Sequence, residues 1–257
     1  MVYSFIPSVR ELATSDALAK KYGAFYEINE FTSPGVYDNP GEVDRIIKEY
    51  KASDTDLSKC TMHGAFLGLD IAAMDSILCN RSRELILRSM EIADKLGIYG
   101  VVFHTGLIGT LRDKVYRTNW LNEAVAFYSD LCAKFPSITV FMENSFEQEP
   151  DILVMLMERM KGVNNFKICL DYAHAVITPT KPEEWFISLA PYIKHFHLND
   201  NDLKDDLHLE VGTGKIDIKE FLDLVKKYDV KADCLLEVTG LDKAEGSLNY
   251  MKSLEAN

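Results

Sequence analysis

The residues best suited to chemistry gather in one stretch, Lys194 to Gly214, KHFHLNDNDLKDDLHLEVGTG. It carries His195, His197 and His208, three of the chain's 6 histidines. His195 and His197 are two apart, so on a strand they share one face. Asp206 and His208 repeat that spacing. A Gly-x-Gly turn follows, and IDIKEF then starts a helix. A strand ending in a ligand-type residue, a polar loop with Asp-x-His and a glycine turn into a helix together read as a βα-loop that holds a metal.

For this stretch to make a site, other elements must bring ligands to it. Short β-branched or aromatic runs alternate with helical stretches along the whole chain. Strands are expected at 2–6, 24–28, 59–64, 99–106, 138–144, 166–172, 193–198 and 232–238. Helices are expected at 9–23, 41–52, 81–97, 120–135, 151–160, 182–190, 217–228 and 243–254, with Asp217 and Glu220 as a capping box. Strand ends recur at about 30 residues, the length of one βα unit. Eight such units predict a single α/β domain over 1–257, a (β/α)8 TIM barrel. The rival is an open doubly wound sheet, which would usually carry a glycine-rich phosphate loop after its first strand; here that position reads PSVREL.

In a barrel the carboxyl ends of the strands meet at one mouth. Those ends carry Glu27, His63, His104, Glu143, Asp171 with His174 close behind, His197 followed by Asp206 and His208, and Glu237. A lone histidine at a strand end is more often structural than a ligand. Glu143 and Glu237, however, follow the apolar runs VFM and CLL, and a buried carboxylate needs a cation nearby. No lysine or arginine occupies a strand end, so metal is the expected partner. Mixed carboxylate and imidazole donors suit Mn²⁺, Zn²⁺, Co²⁺ or Fe²⁺. One mouth loop, LIGTLRDKVYR, is basic; Arg112, Lys114 and Arg117 are either solvated or a clamp for a substrate phosphate or carboxylate.

Composition narrows the partners. The net charge of −12 over 257 residues opposes a nucleic-acid or anionic-membrane surface, although each bound divalent ion adds two positive charges locally. No apolar run approaches a membrane span, and no signal peptide is read at the N-terminus. The 5 cysteines are scattered without a CxxC, as expected of reduced thiols in a cytoplasmic protein.

The motifs HGAFLGLD (63–70), FHTG (103–106), MEN (142–144), CLDYAHA (169–175), HFHLND (195–200), DLHLEVGTGKID (206–217) and LLEV (235–238) give the chain a resemblance to the xylose-isomerase-like barrel superfamily. That superfamily includes sugar isomerases, ketose 3-epimerases and the endonuclease IV type of apurinic-site nuclease. The epimerase resemblance implies one divalent ion on Glu143, Asp171, His197 and Glu237, with the two glutamates moving the proton. The nuclease resemblance implies two further ions, held with His63, His104, His174, Asp206 and His208. The chain departs from both branches. Its loop after strand 2, FTSPGVYDNPG, has no basic residue, the first strand end lacks the nuclease's histidine, and the epimerases' arginine after the strand 7 histidine is missing.

The leading expectation is a metal-dependent isomerase or epimerase acting on a carbohydrate, with a homo-oligomer admitted. Glu143 or Glu237 would remove the proton next to the carbonyl and the other would return it through an enediolate. His63 and His174 would orient hydroxyls, Glu27 would reach the far end of the substrate, and Arg112 would bind an acidic group. The alternative is a zinc-dependent phosphodiester hydrolase cutting at abasic sites with up to three ions. A third reading is a non-catalytic metal or ligand sensor.

Overall fold

The computed structural model describes residues 1–255. Eight parallel strands close into a barrel in sequence order: β1 Tyr3–Phe5, β2 Phe25–Ile28, β3 Thr61–His63, β4 Gly100–His104, β5 Thr139–Glu143, β6 Phe166–Asp171, β7 Ile193–Leu198 and β8 Asp233–Leu236. β1 pairs with β8 and shuts the ring. The open-sheet rival is therefore excluded. All strands lie at the positions expected, β7 with the same bounds and the others shorter.

Helices wrap the outside: α1 Leu12–Tyr22, α2 Pro40–Tyr50, α3 Ser76–Leu96, α4 Lys114–Lys134, α5 Asp151–Arg159, α6 Tyr172–Val176, α7 Pro182–Leu189, α8 Ile218–Lys227 and α9 Leu241–Glu255. Their starts follow from capping chemistry. Asp75 accepts from the amides of Ile77 and Leu78, Asp113 from Tyr116, and Asp217 from Glu220, satisfying amides that the first helical turn leaves orphaned. Two helices start earlier than the hydrophobic period indicates, because Asp75 and Asp113 cap ahead of the first buried residues. Lys114 and Arg117 thus stand on the first turn of α4 and not in a mouth loop.

Strand residues are buried on both faces, as a parallel sheet covered by helices requires. Trp120, Trp185, Phe103 and Phe166 fill the layer between strands and helices. Register then sets the site. His104 lies beside Glu143 across β4–β5, and Asp171 beside His197 across β6–β7. No helix among the described residues is long and apolar enough to cross a membrane, and the cysteines are free.

Candidate metal centre

Nine side chains converge at the carboxyl ends of the strands in three groups, each with its ligand atoms within 4.8 Å of one another. The central group is Glu143, Asp171, His197 and Glu237; a second is His63, His104 and Glu143; a third is His174, Asp206 and His208. Glu143 belongs to two groups, so one carboxylate joins them. All nine residues were expected at this mouth, and the structure brings all nine together.

The central group bears the mark of a cation site. Both oxygens of Glu143, Asp171 Oδ2, His197 Nδ1 and Glu237 Oε2 are buried without a hydrogen-bond partner. Orphaned polar atoms of this kind cost roughly 1–3 kcal/mol each, more when charged. One such atom from each of the four residues, gathered within 4.8 Å of one another, fits a divalent ion. His197 Nδ1 stands 3.3 Å from Glu143 Oε1 and 3.5 Å from Glu237 Oε2.

The flanking groups show how the imidazoles are set. His63 Nδ1 donates to the Gly64 carbonyl at 2.9 Å, His174 Nδ1 to Asn144 at 2.8 Å and His208 Nδ1 to Glu237 at 3.0 Å. A carbonyl only accepts, so each Nδ1 carries a proton, and in the neutral ring Nε2 carries the lone pair. Those Nε2 atoms face acceptors and one another. His63 Nε2 is 3.2 Å from His104 Nε2, and each lies close to Glu143 Oε2, at 3.4 and 3.2 Å. His174 and His208 both direct Nε2 at Asp206 Oδ2, at 3.2 and 3.1 Å. Ring nitrogens gathered in this way on a shared carboxylate oxygen suit a cation between them. His63 and His174, expected to orient substrate hydroxyls, thus sit with the ligand groups.

Charge balance in the metal-free chain is held by protons. Burial alone would raise the Glu143 carboxyl, but His197 and His104 hold it well below the usual carboxylate range. Burial pushes Asp171 up to about 7, with Glu237 and Glu143 adding to the effect and His174 opposing it. Burial depresses His208, but Asp206 and Glu237 outweigh it and bring the ring to about 9.

Two expected substrate contacts are placed otherwise. Glu27 is not at the rim. It lies one residue inside β2 with no exposed surface, between His195 and His197. Arg112 is paired with Glu149, and Arg117 with Asp151 at 2.7 Å, so neither guanidinium stands free as an anion clamp.

Three residues outside the expected set hold the site together. Asn144 accepts the Asp171 amide at 2.8 Å and donates to the Asp171 carbonyl at 2.9 Å, while its own carbonyl binds His174. The MEN motif carried that signal. Glu147, fully enclosed, accepts from Thr105 Oγ1 and from the Ser145 amide at 2.7 Å, and burial raises its carboxyl. Asp200 accepts the amides of Asn201, Gly212 and Ile216 and so closes the loop that delivers Asp206 and His208. Gly212 has φ +91, and a Cβ at Gly214 would lie 2.2 Å from Asp200 Oδ1, which explains the Gly-x-Gly turn.

Comparison with known proteins agrees with this fold. Residues 17–254 match the family described as xylose isomerase-like TIM barrel. The uncharacterized protein MJ1614 of Methanocaldococcus jannaschii is 23% identical over 76% of this chain and 77% of its own length. The probable endonuclease 4 of Aquifex aeolicus is 25% identical over 64% of each chain, so slightly under two thirds of that relative is spanned. Among solved structures, a D-tagatose 3-epimerase-like protein superposes with TM-score 0.78 at 23% identity, covering 100% of this chain and 98% of the other. The TTHB071 protein from Thermus thermophilus, soaked with ZnCl2, gives 0.80 at 21% identity, covering 99% and 98%. Endonuclease IV from the same organism gives 0.69 at 20% identity, covering 100% of both chains. With a closed eight-stranded barrel and a family match over nearly its whole length, the chain belongs to the xylose isomerase-like TIM barrel family.

Proposed function

We propose that the protein is a metal-dependent phosphoester hydrolase working with three divalent ions, zinc foremost. The observation that carries this reading is the division of nine candidate ligands into three groups, two of them joined through Glu143. A single-ion site needs the central four. It gives no reason for three further imidazoles with Nδ1 tied to backbone carbonyls. The probable endonuclease 4 relatives, which are 25–27% identical over about two thirds of the chain, support the same direction. The weight thus moves from the sugar isomerase toward the hydrolase.

Divalent ions held by these residues supply Lewis acidity at a phosphoryl oxygen and acidify water at neutral pH. The chain's own residues set the stage for that chemistry. Glu143, kept ionised by its histidines, offers one oxygen toward His63 and His104 and the other toward His197. Glu237 and Asp171 enclose the centre from β8 and β6. Phe66 stacks on the His104 ring at 4.3 Å between centroids and shields that wall from water.

The mouth also bears on the substrate. The β2 loop has no basic residue, Arg112 and Arg117 are already paired, and Lys204 is surrounded by Asp202, Asp205 and Asp206. A long polyanion bound along a basic face is not supported. A phosphoester on a small or locally presented substrate is, with an abasic nucleotide as one case.

Hydrolysis of bis(p-nitrophenyl) phosphate and of an oligonucleotide bearing one abasic site tests the reading. Turnover of either by the zinc-loaded protein, lost in Glu143→Gln, is expected; no turnover of either with zinc bound would end it.

One observation favours a second reading. Two glutamates face each other across the central site, as proton transfer on a ketose requires, and a 3-epimerase-like protein superposes over the whole chain. Solvent deuterium entering a ketose panel in the protein's presence, absent from both Glu143→Gln and Glu237→Gln, would establish it over hydrolysis.

A further inference from the structure

A second buried layer lies beneath the nine ligands, made of Glu27, Thr61, His195 and Cys169. Glu27 has no exposed surface. Its Oε2 accepts from Thr61 Oγ1 at 2.7 Å and meets His195 Nε2 at 2.9 Å. Its Oε1 stands 2.9 Å from His197 Nε2. The other nitrogen of that ring, Nδ1, is the one facing Glu143 and Glu237; neither ring nitrogen makes a well-angled hydrogen bond, so Nε2 and Glu27 Oε1 meet as a close charge contact.

A neutral imidazole has one proton to place. A carboxylate beside one nitrogen draws the proton there and leaves the lone pair on the opposite nitrogen. We propose that Glu27 is a positioning residue for the central metal site. It holds the proton of His197 on Nε2 and fixes the ring, so that Nδ1 presents its lone pair upward to the ion, while Thr61 and His195 hold Glu27 in turn.

The surroundings give this role a purpose. Cys169, His195 and His197 also bring ligand-type atoms within 4.8 Å of one another, below the centre. As the ring stands, His197 already offers an atom to that lower group. Glu27 occupies His195 and His197 together and closes off that group. A carboxylate sealed in a barrel interior is expensive where apolar side chains would pack, which argues for a directed task over a filling one. The proposal rests on the metal reading of the central group and is independent of which reaction the site performs.

The test is metal binding by the metal-stripped chain, measured by Zn²⁺ titration against a competing chromophoric chelator. In Glu27→Gln the carbonyl oxygen still accepts, but the charge is gone and the amide favours either tautomer. The expected result is a loss of about 10–100-fold in affinity at one ion, with the remaining ions unchanged. Glu27→Asp should recover part of the loss. Thr61→Val removes one support of Glu27 without touching the carboxylate, so it remains informative if Glu27→Gln fails to fold; it should weaken the same ion by a smaller factor. A lower melting temperature with wild-type affinity in Glu27→Gln, or in Thr61→Val where only that variant folds, would overturn the positioning role. Normal metal binding in the wild type without phosphoester turnover would remove the proposed reaction and leave this inference standing. A wild-type chain that bound no ion would end both.

Discussion

Asp171 caps the helix that carries His174: its Oδ1 accepts the His174 amide at 2.6 Å, while its Oδ2 stays buried without a hydrogen bond toward the central group. One carboxylate therefore starts α6 and offers a ligand atom. The two tasks separate on substitution. Asn also caps, so Asp171→Asn should keep the metal-free melting temperature close to wild type and lose the central ion. Asp171→Ala should lose the ion and about 1 kcal/mol of stability besides. Thermal unfolding with elemental analysis checks both; equal melting temperatures for Asn and Ala would show that the cap contributes nothing.

Metal uptake should release protons. Asp171 titrates near 7 and His208 near 9 in the metal-free chain, so both still bind protons at pH 6. An ion must displace them, and its affinity should therefore rise from pH 6 to pH 9. Proton release on adding Zn²⁺ in a weakly buffered indicator solution measures this. Affinity falling over that range would contradict the assignment.

His208 has φ +46, a left-handed conformation that Asn tolerates well and a ring occupies only at a cost. His208→Asn is expected to leave metal-free stability unchanged or higher by a few tenths of a kcal/mol, and to remove the ion shared with His174 and Asp206. Differential scanning calorimetry and metal content read the two effects separately.

Gly214→Ala places a methyl 2.2 Å from Asp200 Oδ1 and 2.5 Å from the Asn201 carbonyl. The loop from 199 to 216 must shift, so the same ion should go first, with a loss of about 1–3 kcal/mol. Retained metal and stability would show that the Asp200 turn does not hold Asp206 and His208.

The barrel and the convergence of all nine side chains were legible in the sequence because both depend on local pattern. Strand ends repeat at a βα interval, and the residues of the central group each stand at the end of an apolar strand. What escaped depends on contacts made after folding. Glu27 differs from a rim residue by one position in β2, and pattern does not resolve whether a strand ends at Glu27 or Ile28. Arg112 looked free because its partner Glu149 lies 37 residues away. The short helix α6 was hidden because YAHAV after CLD reads as a continuing apolar strand, and only the Asp171 cap turns it. Asp200 looked like one more acid in an acidic loop, yet three backbone amides converge on it.

The three-ion centre is tested most directly by counting metal in the purified protein after Zn²⁺ loading and removal of excess, with Glu143→Gln alongside. Three ions per chain are expected, falling to one or none when the shared carboxylate is lost. One ion per chain in the wild type, at saturating zinc, would contradict the centre described here and return the site to single-ion chemistry.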